Sequence, residues 1–115
     1  MDSKHLSRKQ LFLAPEIKPS HGTVVKYHEV TGGKGRIVIP HSPALAVGHT
    51  VYWSVKGNGL EFSSFKIDKV EAHYERTLKF DVVFKTEEVV ASYFVKDDAE
   101  IIGYSHESTY TVLEE

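Results

Sequence analysis

Seven histidines are the residues of this chain best suited to chemistry, because neutral imidazole is the commonest metal ligand and titrates near neutrality. His21, His28, His41, His49, His73 and His106 fall on different segments, and no two stand two or four positions apart. A ligand pair on one face of a strand or helix needs such spacing, so the expectation is no metal site and no cofactor. Asp97, Asp98 and Glu100 crowd one turn without the alternating oxygen ligands of a calcium loop. Glycoside cleavage needs two facing carboxylates, and Glu61, Glu71, Glu75 and Asp81 offer no defined pair. Ser42, Ser54, Ser63, Ser64, Ser92, Ser105 and Ser108 sit in no nucleophile elbow. Gly32-Gly33-Lys34-Gly35 lacks the spacing and the following helix of a phosphate loop, which leaves it a turn. Without cysteine there is neither a disulfide framework nor a thiol nucleophile. The inventory argues against an enzyme.

A chain of 115 residues supports one continuous core, and 41% apolar with 26% charged residues is the balance of a folding domain. A net charge of −2 with interspersed signs creates no field for phosphate backbones, so no nucleic-acid partner is expected. Lys4, Arg8 and Lys9 precede an apolar run, Leu11 to Ala14, that stops at Pro15. That is shorter than the ~7–15 residues of a secretion signal, and no run nears the ~18 of a membrane span. The reading is therefore no membrane insertion, with the protein cytoplasmic or exported by a route that needs no signal peptide. Residues 1–10 read as a flexible tail and 11–115 as a single domain.

The chain is organised around His49 to Lys56, bounded by Gly48 and Gly57 and holding the single tryptophan. Two-residue alternation puts Val51, Trp53 and Val55 on one face, and Thr50, Tyr52, Ser54 and Lys56 on the other. The tryptophan side must be buried, since an aromatic side chain removes roughly 150–250 Å² from water. Ahead of it, Leu11–Ile17 reads as an edge strand, the position that Pro15 and Pro19 suit, Thr23–Val30 as a strand ending at the glycine turn, and Arg36–Ile39 as a strand ending at Pro40. Behind it come a weaker strand over Phe62–Val70 and a break over Glu71–Arg76. Thr77–Phe84 then alternates cleanly, with Leu78, Phe80, Val82 and Phe84 on one side. Glu87–Lys96 is apolar on both faces, the pattern of a central strand, and Ile101–Tyr104 with Ser108–Leu113 reads as a final strand or a bulged pair around Gly103. About seven short strands with no helix predict an all-β, antiparallel immunoglobulin-like β-sandwich.

The run Ala44 to Trp53, preceded by Arg36-Ile37-Val38-Ile39-Pro40, resembles the immunoglobulin-like repeat modules of large surface and adhesin-like proteins of Gram-negative bacteria. In those modules a short apolar strand ends in proline and a glycine-led strand carries the buried aromatic. Leu78 to Val82, Val89 to Val95 and Ser108 to Val112 follow in matching order, so the resemblance covers roughly Leu13 to Leu113. It implies a non-enzymatic binding module and brings no catalytic residues. The modules usually stand in tandem, whereas this sequence carries one.

In such a sandwich the strands holding Tyr52, Phe94 and Tyr104 lie side by side, which sets three aromatics on one outer surface. A patch of that kind marks a protein partner, a glycan or a homodimer interface. The competing expectation is that the segment around Leu11 and Phe12 folds over Phe94. A carbohydrate-binding module, with Tyr52 or Tyr104 stacking on a sugar ring, is the alternative function.

Overall fold

In the computed structural model, which describes residues 10–114, the chain is mostly β, with ten strands and two single helical turns. The strands are β1 (Gln10–Phe12), β2 (Glu16–Lys18), β3 (Val24–Lys26), β4 (Arg36–Pro40), β5 (Thr50–Lys56), β6 (Leu60–Lys66), β7 (His73–Thr77), β8 (Glu88–Asp97), β9 (Glu100–Ser105) and β10 (Ser108–Leu113). The turns are α1 (Tyr27–Val30) and α2 (Phe80–Val83). The expected tail over 1–10 lies outside the described residues except for Gln10.

β8 is the hub of the large sheet. One side of it pairs with β5, and the other pairs with β9 near its end and with β10 near its start. β9 and β10 thus form one long bent partner for β8. The register slips at Val95/Lys96, opposite the stretch around Gly103 where the sequence predicts a bulge. β6 extends this sheet beyond β5, and the whole curls into a half-barrel. β2, β4 and β7 form a separate antiparallel sheet. Both sheets contribute to one apolar cluster: Ile17, Ile37, Ile39 and Tyr74 from the small sheet, Val51, Trp53, Val55, Ala91, Tyr93 and Tyr110 from the large one.

Several expectations need correction. The sheet is not purely antiparallel, because the N-terminal segment adds β1 parallel to β9 and β3 parallel to β10. The expected strand over 11–17 is two short strands in different sheets, since Pro15, with its fixed φ and no N–H to donate, falls where the chain crosses over. The expected break over Glu71–Arg76 holds β7, whereas the alternating stretch after Thr77 turns once as α2. There Val83 and Phe84 are adjacent and both fully buried, which a strand with one face to water does not allow. Likewise Thr23–Val30 is strand only to Lys26 and then turns as α1, before Gly32 and Gly33 reverse the chain at φ 67° and 77°.

The N-terminal segment is tied down by side chains of β8 and β10. The Tyr93 hydroxyl donates to the Leu13 carbonyl at 2.8 Å, Ser108 Oγ donates to the Pro15 carbonyl at 2.7 Å, and the Ile17 N–H donates to the Tyr110 hydroxyl at 3.1 Å. Burial pushes the Tyr93 phenol well above the ordinary tyrosine range, so the fold holds this group neutral. Its stabilising effect is complete below the unfolded-state value of about 10 and is lost as the pH rises beyond it. Between pH ~9 and ~11 the melting temperature of the wild type should fall, and Tyr93→Phe should fall less, at a cost of about 1 kcal/mol near neutrality for the missing hydrogen bond. Equal alkaline losses in the two proteins would contradict this.

Candidate functional site

The ladder geometry of the large sheet decides what its outer face carries. Val51, Trp53 and Val55 of β5 point into the core, as do Val89, Ala91, Tyr93 and Val95 of β8. The alternate residues therefore point outward. Register then sets Tyr52 opposite Phe94, Phe94 opposite Tyr104, and Tyr104 opposite Leu11, so a single row of apolar side chains crosses four strands. The Tyr52 and Phe94 rings stack at 5.0 Å between centroids and 8° between planes, and Phe94 meets Tyr104 at 6.0 Å and 44°. Lys96 Nζ lies 5.3 Å from the Tyr52 ring centroid.

The next row toward the β5–β6 turn is Phe62, Ser54 and Ser92. Small hydroxyl residues beside large aromatic ones leave a trough. It encloses about 770 Å³, with Tyr52, Phe94 and Tyr104 along one side, Leu60 and Phe62 at the β6 end and Glu107 near β9. The hydroxyls of Ser54, Ser63, Ser64 and Ser92 make no hydrogen bond to other described residues. Phe62 is 70% exposed, Leu60 55% and Tyr104 46%, so the trough and its rim are open to solvent.

The structure thus brings Tyr52, Phe94 and Tyr104 together. The described N-terminal residues do not cover Phe94: the Phe12 side chain enters the core, and Leu11 prolongs the row beyond Tyr104. Phe62, Leu60 and the serines were missed in the sequence. The available signal was phase, since Phe62 is odd-spaced from Phe65 and so belongs to the opposite face of β6.

The other chemistry-bearing residues stay apart. Among the described residues, no three His, Asp or Glu side chains gather as a metal site. His21 bonds Glu29 at 2.9 Å, His41 Nδ1 lies 3.1 Å from the Tyr74 hydroxyl, His73 pairs with Glu75 at 3.1 Å, and His49 Nδ1 accepts from the Ala46 N–H at 3.1 Å. Each imidazole serves its own loop or strand end. Glu61 accepts the Lys79 N–H at 2.8 Å, which binds β6 to the start of α2. Among the described residues, no helix is long and apolar enough to cross a membrane.

Comparison of the chain with protein-family models, with curated proteins and with solved structures finds no match.

Proposed function

We propose that the chain is a non-enzymatic binding module of immunoglobulin-like sandwich type, akin to the repeat modules of bacterial surface proteins, and that it engages a protein partner over the outer face of the large sheet. The pairing of β4 with β7 in one sheet, and of β5, β8 and the β9–β10 run in the other, supports the immunoglobulin-like reading. The observation that carries the functional reading is the row of half-buried Tyr52 and Phe94 and exposed Tyr104 beside its serine-floored trough. Exposed apolar rows rimmed by polar groups are where partners dock.

Unpartnered serine hydroxyls in a trough also suit a glycan, the second reading. Ring orientation favours protein. Sugars stack on free aromatic faces, and Phe94 already stacks on one face of Tyr52, with the Lys96 ammonium 5.3 Å from the ring centroid. Aromatic edges and hydroxyls suit the mixed apolar and polar contacts of a protein interface better.

The test compares wild type with Phe94→Lys, an outward-facing change that spares the core. A partner captured quantitatively by the wild type from its source lysate should be depleted at least ~10-fold by the charge, a loss of about 1.4 kcal/mol or more. Capture unaffected by Phe94→Lys sinks the outer-face reading. Glycan-array binding that disappears in Tyr104→Ala transfers the site to the second reading.

A further inference from the structure

We propose that β6 is a docking edge for a second copy of this chain, the two β6 strands pairing antiparallel about a two-fold axis at Ser63 so that the large sheets of both copies join. This surface is the edge of the sheet and not its face, and the inference stands independently of the outer-face reading above.

β6 pairs with β5 without a register break from Thr50↔Lys66 to Lys56↔Leu60, and among the described strands it pairs with nothing else. Its hydrogen-bonding direction follows from the ladder. The Ile67 N–H donates to the His49 carbonyl at 2.8 Å, so the odd-numbered residues of β6 bond toward β5, and alternation turns the N–H and C=O groups of Phe62, Ser64 and Lys66 outward. Those groups make no hydrogen bond to other described residues. Proteins usually blunt an open edge with proline, a bulge or a charge. From Phe62 to Phe65 this edge has none of the three, and it carries the most exposed large apolar side chain described, Phe62.

Self-pairing is constrained to a few registers. For the sheet to continue, outward-bonding residues must face each other, so even-numbered positions pair with even-numbered positions. A two-fold axis at Phe62 sets Phe62 against its own copy and Glu61 against Ser63. An axis at Ser64 sets Phe62 against Lys66 and Glu61 against Ile67. An axis at Ser63 sets each bulky Phe62 against the small Ser64 of the other copy, with serine against serine at the centre. It also sets each Glu61 against Phe65 of the other copy, and the Arg76 guanidinium lies 4.1 Å from the centroid of that ring. This register alone brings a carboxylate to a guanidinium twice, once on each side of the axis, and the charge complementarity selects it.

A strand-edge interface of this length falls at the small end of specific interfaces, so self-association should appear in the roughly micromolar to millimolar range. Sedimentation equilibrium across that range should show mass rising toward twice the monomer. Ser64→Pro removes one outward N–H without touching the β5 ladder, and Phe62→Lys puts a charge at the centre; each should return the monomer mass, with near-UV circular dichroism of Trp53 checking that both remain folded. If Ser64→Pro does not fold, Phe62→Lys carries the test. Phe94→Lys, away from the edge, should still dimerise. Arg76→Glu should weaken association at least ~10-fold, and Glu61→Arg combined with Arg76→Glu should restore it. A monomer at every concentration overturns the proposal. So does a dimer that survives Phe62→Lys but is lost in Phe94→Lys, and failure of the charge swap to rescue overturns the Ser63 register.

Discussion

Gly57→Ala is expected to destabilise the protein by about 3–5 kcal/mol, since of the seven glycines Gly22, Gly32, Gly33, Gly35, Gly48, Gly57 and Gly59 it meets the tightest backbone contact. A Cβ built on Gly57 overlaps the Val83 carbonyl oxygen and comes within 2.6 Å of the Val83 carbonyl carbon and 2.9 Å of its Cα. These are backbone atoms of α2, and Val83 and Phe84 are fully buried, so the obstacle cannot rotate aside. The turn itself is laced to the same place. The Gly59 N–H donates to the Val82 carbonyl at 2.6 Å, Asn58 Nδ2 donates to the Asp81 carbonyl at 2.7 Å, and Asn58 Oδ1 accepts the Lys85 N–H at 3.0 Å. Relieving the overlap means moving the turn off α2 and weakening all three bonds, each worth about 1 kcal/mol. The melting temperature should drop by roughly 15 °C or more for a domain of this size. Gly59→Ala is the comparison, since its nearest neighbour would be the Val82 carbonyl oxygen at 3.1 Å and its loss should be a fraction as large. Thermal melts of the two variants within a few degrees of each other would show that the β5–β6 turn does not press on α2 as described.

Phe12→Ala should cost about 3–5 kcal/mol in urea titrations followed by Trp53 fluorescence. Phe12 is 1% exposed, its ring stacks near Tyr93 at 6.1 Å, and its carbonyl accepts the His106 N–H at 3.0 Å. Truncation empties a site walled by β8 and β9 and loosens the segment that Tyr93, Ser108 and Tyr110 hold by hydrogen bonds. Leu13, one position beyond, is 63% exposed, and Leu13→Ala should change stability by no more than about 0.5 kcal/mol. Similar losses at the two positions would mean that Phe12 does not anchor the segment.

The contrast between those neighbours shows what can be read along a sequence. β5 and β8 were legible because each buries one side of an unbroken alternation, and the shared phase of Tyr52 and Phe94 then follows from counting. Tyr104 was added from the expected side-by-side order of the strands and not from alternation, since β9 buries only Gly103 and its register with β8 slips. β7 was not legible, because its single buried residue, Tyr74, stands among His73, Glu75 and Arg76 and an edge strand of five residues leaves no apolar period. Thr77–Phe84 misled in the opposite sense: its alternation fits a strand, yet the adjacent Val83 and Phe84 are both buried and the backbone turns once as α2. The two parallel additions, β1 to β9 and β3 to β10, depend on partners far away along the chain, which local periodicity cannot register. The trough was half legible. Its aromatic wall follows from β5 and β8, whereas Phe62 belongs to the weakly patterned β6.

The hydrogen bond from Ile17 to Tyr110 joins residues 93 positions apart, and Ser108 reaches Pro15 over the same separation. During synthesis β2 can pair with β4 soon after both emerge, but β1 and β3 find no strand to join until β9 and β10 have left the ribosome. Loop closure over such a distance has to precede the contacts that reward it, which slows folding. Until then Phe12 and Val25 stay exposed to water and to other nascent chains, and open apolar segments of this kind are what holding chaperones bind.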